Sequence, residues 1–307
     1  MKIYDCIIFY NEIDLLCLRL RLLSDVVDKF VIVELDTSFR GKKKERIFQN
    51  NKDVFHQYLD KIIYITNDEI ESPVYKGDGD WSIEYFQRNL LSKALYHCDM
   101  DDLIMLSDVD EIPNPELLKN LDKWMVKTGT SLAQKYRRCG YGAATLPIRR
   151  LSKFVIGRMT VMEALNYMQV SCVYKNHYYY MNCAADGFWV GTMISKFKNL
   201  SFPQAFRDNR KYAPMIMGSG WHFSYLGGLD SVKIKLNSIV DGRPEIIEKM
   251  KKYNNDNDYI EHCLREGKDI FGRNDKANQF KFIDPTDIGL PNIDEIVDTY
   301  PQFFHKS

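Results

Sequence analysis

Leu103-Ile104-Met105-Leu106 runs without a polar break into Ser107-Asp108-Val109-Asp110-Glu111, and Ile112-Pro113 closes the stretch. An apolar run of this kind predicts a strand buried on both faces. Pro113 cannot donate to a ladder, so the strand is expected to stop there. Three carboxylates are thereby gathered at the C-terminal end of a buried strand. In an open α/β sheet, the crevice beyond the strand C-termini is where ligands bind. If the backbone stays extended, Asp108 and Asp110 point the same way. Like charges so close need something positive between them. A hard divalent cation such as Mg²⁺ or Mn²⁺ meets that need and keeps positions open for phosphate oxygens. The competing readings are an exposed acidic turn, or a helix start capped by Asp110.

The preceding residues extend the α/β reading. Asp5 to Phe9 predicts a first strand, and Asp14 to Ser24 a leucine-rich helix. Phe30-Val31-Ile32-Val33 is a β-branched second strand that ends on Glu34, with Asp36 two residues later. Ile62 to Ile65 is a third strand. Trp81 to His97 carries apolar residues at helical spacing, with Gln87, Arg88 and Asn89 on the other face. Strand, helix, strand, strand, helix, strand predicts a mainly parallel sheet. A helix is expected over Pro115 to Val126.

Composition changes after that point. Residues 128 to 183 are rich in Gly, Arg and Tyr and predict antiparallel strands, with Val170 to Met181 extended. Gly218 to Tyr225 is glycine-rich, then aromatic, and contains His222. Helices are expected over Asp230 to Ile239, Tyr259 to Glu266 and Ile293 to Thr299, and a polar link over Lys249 to Asp258. The expected organisation is a first half at 1–125, a second half at 126–285 and a tail helix at 286–307, in one continuous domain.

Lys plus Arg and Asp plus Glu number 42 each, so the chain carries no net charge. That argues against a nucleic-acid binder, which needs a basic face. The apolar run at the N-terminus ends at Tyr10-Asn11-Glu12, too short for a signal peptide. No stretch has the length of a transmembrane helix. Seven cysteines are scattered without a C-x-x-C pair, which disfavours a zinc ribbon and fits reduced thiols. The expected location is the cytoplasm.

Several stretches, in order, resemble the glycosyltransferase family of the β-1,4-mannosyl-glycoprotein N-acetylglucosaminyltransferases, which add bisecting GlcNAc. They are Asp14-Leu15-Leu16 with Arg19-Leu20, Asp25 to Asp28 leading into Phe30 to Glu34, and Trp81 with Arg88. Asp108-Val109-Asp110-Glu111-Ile112-Pro113 is the strongest match and Gly220-Trp221-His222-Phe223-Ser224 the second. The resemblance implies a GT-A fold, a Rossmann-like mainly parallel sheet with a mixed acceptor-side half. It also implies a UDP-sugar donor (UDP-GlcNAc in known members), a divalent cation, and inversion at the anomeric carbon. By the same resemblance His222 closes the metal site beside Asp108 and Asp110, and Glu111 ranks first as general base.

The residues supply roles compatible with that chemistry. A cation on Asp110 would stabilise charge on the leaving diphosphate. Asp108 could bind the ribose, or the metal through water. Glu34 and Asp36 could accept hydrogen bonds from uracil and ribose, and Arg88 could face the diphosphate. Asp186, among turn-forming neighbours, is the second general-base candidate. Tyr178 to Tyr180 and Trp189 could offer an acceptor platform of aromatic faces, with core packing as the alternative. A nucleotide-sugar donor and a glycan acceptor are thus the expected partners. Two other classes use the same residues: a nucleotide-sugar hydrolase or nucleotidyltransferase, and a non-catalytic glycan-binding module.

Overall fold

The computed structural model describes residues 1–126, 159–238, 256–273 and 278–306. The first half begins with β1 (Ile3–Phe9), α1 (Ile13–Leu23), β2 (Lys29–Glu34), α2 (Ile47–Asn50) and β3 (Ile62–Ile65). It continues with α3 (Ser82–Leu90), β4 (Leu103–Asp108), β5 (Glu111–Pro113), α4 (Pro115–Lys119) and β6 (Met125–Val126). The second half has β7 (Met159–Thr160), α5 (Val161–Leu165), β8 (Val170–Tyr178), β9 (Cys183–Lys196), α6 (Pro203–Asp208) and β10 (Met215–Ser224). It ends with α7 (Gly228–Ser238), α8 (Asp256–Glu266), β11 (Phe280–Phe282) and α9 (Ile293–Thr299).

One sheet carries both halves, in the order β3-β2-β1-β4-β9-β8-β10-β5, with β11 paired to β9. β3, β2, β1 and β4 are parallel. β9 runs antiparallel to β4 and to β8, β10 is parallel to β8, and β5 is antiparallel to β10. This is the α/β architecture expected from the sequence, a parallel half continued by a mixed one. All seven residues of β1 are buried, as a strand covered on both faces requires. The chain winds outward from β1 to β3 on one side and places β4 on the other. The gap between the C-terminal ends of β1 and β4 is therefore a topological switch point, the usual ligand position in such sheets.

The structure departs from expectation in three places near this gap. β4 ends at Asp108, and Val109 and Asp110 form a turn. The two aspartates therefore do not share a strand face. Nor does one strand run to Pro113: pairing resumes in β5 after the turn and ends at Pro113, opposite Gly220 of β10. A Cβ on Gly220, at φ +148°, would fall on the Ile112 carbonyl oxygen, so only glycine allows this approach. The helix expected over Pro115 to Val126 stops at Lys119, capped at its start by Asn114, whose side chain accepts from the Glu116 N–H at 2.9 Å. Leu117, Leu118 and Leu121 reach the core without a continuous helix. Residues 127–158 and 249–255 lie outside the described residues, and with them much of the region expected to be antiparallel and most of the expected polar link.

Tyr178 and Tyr179 pack with Tyr225, Leu264 and Ile270 in a core cluster, which removes them from the expected acceptor platform. His177 is fully buried and packs on Phe223 at 5.2 Å between ring centroids. Burial pushes its pKa down to about 4 from the usual 6.5. The sign follows from linkage. Between pH 6.5 and 4 the unfolded chain takes a proton that the folded chain refuses, so stability is full above pH 6.5 and falls as pH drops toward 4. The loss over that window should be on the order of 3 kcal/mol. Urea unfolding at stepped pH should show that slope in the wild type and a flatter curve in His177→Gln; parallel curves would contradict the assignment.

Candidate active site

Arg19 holds the carboxylate turn in place. It lies on the buried face of α1 with no solvent exposure, and Asp5 of β1 is equally buried. Nε and Nη2 of Arg19 donate to the two Asp5 oxygens, each at 2.7 Å, and Nη2 also reaches Ser107 Oγ at 3.0 Å. Nη1 donates to the backbone carbonyls of Glu111 at 2.5 Å, Val109 at 3.3 Å and Asp108 at 3.4 Å. A guanidinium is suited to this because its donors form a rigid fork. The turn after β4 would otherwise bury carbonyls without partners.

From that turn the three carboxylates go to different places. Asp108 accepts from Arg88 at 3.0 Å on one oxygen and from Arg207 at 2.8 Å on the other. Burial works to raise its pKa, but Arg207, Arg88 and Arg210 outweigh it and hold the carboxyl well below the usual range. Glu111 is fully buried. Its carboxylate takes four donors: Arg207 at 2.5 and 2.8 Å, the Trp189 indole at 2.6 Å and the Asp108 N–H at 3.2 Å. Gly191 makes room, since a Cβ there would stand 3.0 Å from the Glu111 carboxyl carbon. A carboxylate so enclosed has no free oxygen for an acceptor hydroxyl. Glu111 positions the turn, and its expected role as general base does not fit its surroundings.

Asp110 turns the other way. Its Oδ2 accepts from Lys235 of α7 at 2.8 Å and faces His222 Nε2 at 3.8 Å. Burial would raise the Asp110 pKa, but Lys235 and His222 lower it overall. His222 stacks on Trp189 at 4.4 Å and 10° between planes. Its Nδ1 lies 2.8 Å from the Asn176 side-chain oxygen, which can only accept, so Nδ1 carries the hydrogen. Burial pushes the His222 pKa down against the pull of Asp110, so the ring is neutral at pH 7. Its bare Nε2 lone pair is thus aimed at a carboxylate. Asp110 and Lys235 line a cavity of about 430 Å³ with Tyr10, Asn11, Glu12 and Phe39, at the switch point between β1 and β4. The Tyr10 and Phe39 rings stand 6.4 Å apart there.

The donor set of Asp110 and His222 fits a divalent cation. They supply one oxygen and one nitrogen donor, 3.8 Å apart, of the kinds that Mn²⁺ or Mg²⁺ accepts. No group of three or more His, Cys, Asp or Glu side chains able to hold a metal occurs among the described residues. Asp108, expected to share the cation, has both oxygens occupied by arginines.

Other sequence candidates lie elsewhere. Glu34 is fully buried and accepts from Ile47 N at 2.5 Å, Phe48 N at 3.1 Å, Lys44 at 3.1 Å and Tyr64 at 2.8 Å. It caps α2 and has no oxygen left for uracil. Asp36 pairs with Lys43 at 2.8 Å and lines a separate basin of about 670 Å³ with Arg40 and Arg46. Arg88 is committed to Asp108, Glu84 and Gln204 rather than open to a diphosphate. Asp186 pairs with Lys281 at 3.2 Å near the start of β9. It lies about 16 Å along the strand from Gly191, at roughly 3.3 Å per residue. Of the expected platform, Trp189 alone stands at the site, as the ring under which His222 is stacked.

Arg207, Lys235 and Asn176 were not singled out by sequence, and Arg19 was noted only within a stretch resembling the family, with no role given. Arg19 did leave a signal: it falls four residues after Leu15 and four before Leu23, on the apolar face of its helix. The others are recognisable only once the sheet brings β8, β10, α6 and α7 beside the turn.

The comparisons with known proteins bear on the first half of the chain. The model of glycosyltransferase family 17 matches residues 1–142, so the resemblance read from sequence holds over that segment. The β-1,4-mannosyl-glycoprotein 4-β-N-acetylglucosaminyltransferases of Rattus norvegicus and Homo sapiens are each 29% identical over 132 residues, 40% of this chain. The match spans 24% of the length of those relatives. Among solved structures, a Mycobacterium tuberculosis glucosyl-3-phosphoglycerate synthase in complex with Mn²⁺, UDP and phosphoglyceric acid aligns over 55% of this chain and 58% of that one. Its TM-score is 0.27 at 14% identity, too loose to place any residue. Asp108, Asp110, Arg19 and Arg88 fall inside the family match; Asn176, Arg207, His222 and Lys235 lie beyond it.

Removing Arg19 leaves Asp5 as an unpaired buried charge and frees the turn carbonyls. Arg19→Ala should lower the unfolding free energy by about 3–5 kcal/mol. Arg19→Lys should recover only part, because an ammonium lacks the fork. Denaturant titration of both variants checks this; a lysine variant as stable as wild type would mean that charge alone suffices.

Proposed function

We propose that this chain is a glycosyltransferase that moves N-acetylglucosamine from UDP-N-acetylglucosamine to a glycan acceptor, with inversion and with help from a divalent cation. One observation carries the reading. Asp110 and the bare nitrogen of a neutral His222 converge 3.8 Å apart beside a cavity at the strand switch point. The family match over residues 1–142 supports the transferase class. The sugar and the acceptor class rest on what the matched relatives are named for, and UDP on the family resemblance read from sequence.

In this reading the nucleoside lies over Tyr10 and Phe39, and Glu12 accepts from the ribose. The diphosphate reaches toward Asp110 and Lys235. Asp110 and His222 would hold Mn²⁺ or Mg²⁺, which when bound would neutralise charge on the departing diphosphate. Asn176 keeps the proton on Nδ1 of His222, so that Nε2 remains a ligand. Trp189 covers the imidazole and excludes water from one face. Arg19, Arg207 and Glu111 fix the turn so that Asp110 needs no reorganisation when charge develops. Inversion takes one displacement and one general base; neither Glu111 nor Asp186 is placed at this cavity to serve.

Purified protein should release UDP from UDP-N-acetylglucosamine with Mn²⁺ and an acceptor glycan, and lose that activity in chelator. Asp110→Asn should lower turnover by about 10²-fold or more, the scale of a lost electrostatic stabiliser. Asp186→Asn should leave turnover unchanged. Anomeric couplings in the product's NMR spectrum should show a β linkage. Free sugar or sugar phosphate as the only product would sink the transferase reading in favour of hydrolysis or nucleotidyl transfer.

A further inference from the structure

We propose that Lys235 is a resident counter-charge for Asp110, which a cation must displace and which the donor diphosphate then takes up, so that cation and diphosphate favour each other's binding. The inference rests on the cation-assisted reading above and concerns how the site is filled.

Lys235 Nζ is 2.8 Å from Asp110 Oδ2, the same oxygen that faces His222 Nε2. A cation held by Asp110 and His222 would have to share that carboxylate oxygen with the ammonium. The two positive charges cannot share one carboxylate oxygen without strong repulsion. The ammonium therefore has to leave, and the structure gives it somewhere to go. The Lys235 side chain is 28% exposed, and the cavity it lines is the one beside Asp110. The Tyr225 ring lies 4.9 Å from the ammonium, so a cation can stay near that face as it turns. Glu12 lines the same cavity and adds negative charge.

Charge counting shows why the two ligands favour each other. Asp110 and Lys235 cancel in the unloaded site. A divalent cation alone would add two positive charges to the site. A nucleotide diphosphate alone would meet Asp110 with only one ammonium to offset it. Cation and the donor's diphosphate together bring the site back to the charge it has before loading, with Lys235 moved from the carboxylate to a phosphate oxygen. Lys235 thereby couples the two binding events, and coupling between ligands is reciprocal.

Binding calorimetry and Mn²⁺ electron paramagnetic resonance test this without turnover. In nucleotide-free protein, Lys235→Met and Lys235→Gln should bind Mn²⁺ at least tenfold more tightly than wild type. UDP should then raise Mn²⁺ affinity less in either variant than in wild type. Variant affinity for Mn²⁺ equal to or weaker than wild type overturns the proposal. Wild-type protein that binds no Mn²⁺ even with UDP overturns the cation-assisted reading itself, a different result. Should neither variant fold, amine labelling of wild-type Lys235 read by mass spectrometry decides. Reactivity should rise with saturating Mn²⁺ and fall again when UDP is added; no rise with bound Mn²⁺ means that the lysine does not give way.

Discussion

The buried pair between Arg19 and Asp5 sets the geometry on which the rest of this site depends. Asp5 sits in a strand whose every residue is buried, and its charge is tolerable only because a fork of donors meets it there. The same fork reaches three carbonyls of the turn after β4. A single guanidinium thus ties the first strand, the first helix and the carboxylate turn together. Buried ion pairs contribute little net stability against apolar replacements, but breaking one is costly. Their use here is to specify one conformation of a turn that carries three acidic side chains.

Around that turn, charges alternate. Glu84, Asp108 and Glu111 are interleaved with Arg88 and Arg207, and Asp110 is met by Lys235. Burial raises the Glu84 carboxyl against the pull of Arg88 and lifts the cost of any unpaired member. The arrangement separates two tasks within one short motif. Asp108 and Glu111 lock to arginines and hold shape, which leaves Asp110 as the carboxylate presented to the cavity.

Much of the fold was legible because it rests on local patterns. The apolar runs of β1 to β4 and the spacing in α1 and α3 are signals that burial on both faces or on one face imposes. At the candidate site, Asp110, His222 and Trp189 were legible. Glu34 and Asp36 end a strand just as Asp110 follows one, so position along the chain could not separate them. What separates them is the company they keep: Glu34 meets the backbone N–H groups of α2, Asp36 a lysine of its own loop. Asp108 was read as Asp110's equal because alternation assumes an extended backbone, and the turn at Val109 breaks that assumption. Arg207 and Lys235 are 96 and 125 residues from the carboxylates they hold, and no local pattern records a contact at that distance.

Those separations also bear on how the chain acquires its shape. β4 is flanked by β1 on one side and by β9, nearly a hundred residues later, on the other. Contacts so distant in sequence close large loops before they are rewarded, which slows folding. During synthesis the N-terminal strands emerge with β4 as a bare, apolar edge, the kind of surface that pairs with the wrong neighbour. Asp108, Asp110 and Glu111 stand at the end of that edge, and their positive partners on α6 and α7 have yet to be made. Until then Arg88 is the one described cation already in place to pair with their carboxylates, and the negative charge left over makes the end of the nascent edge a poor template for another strand.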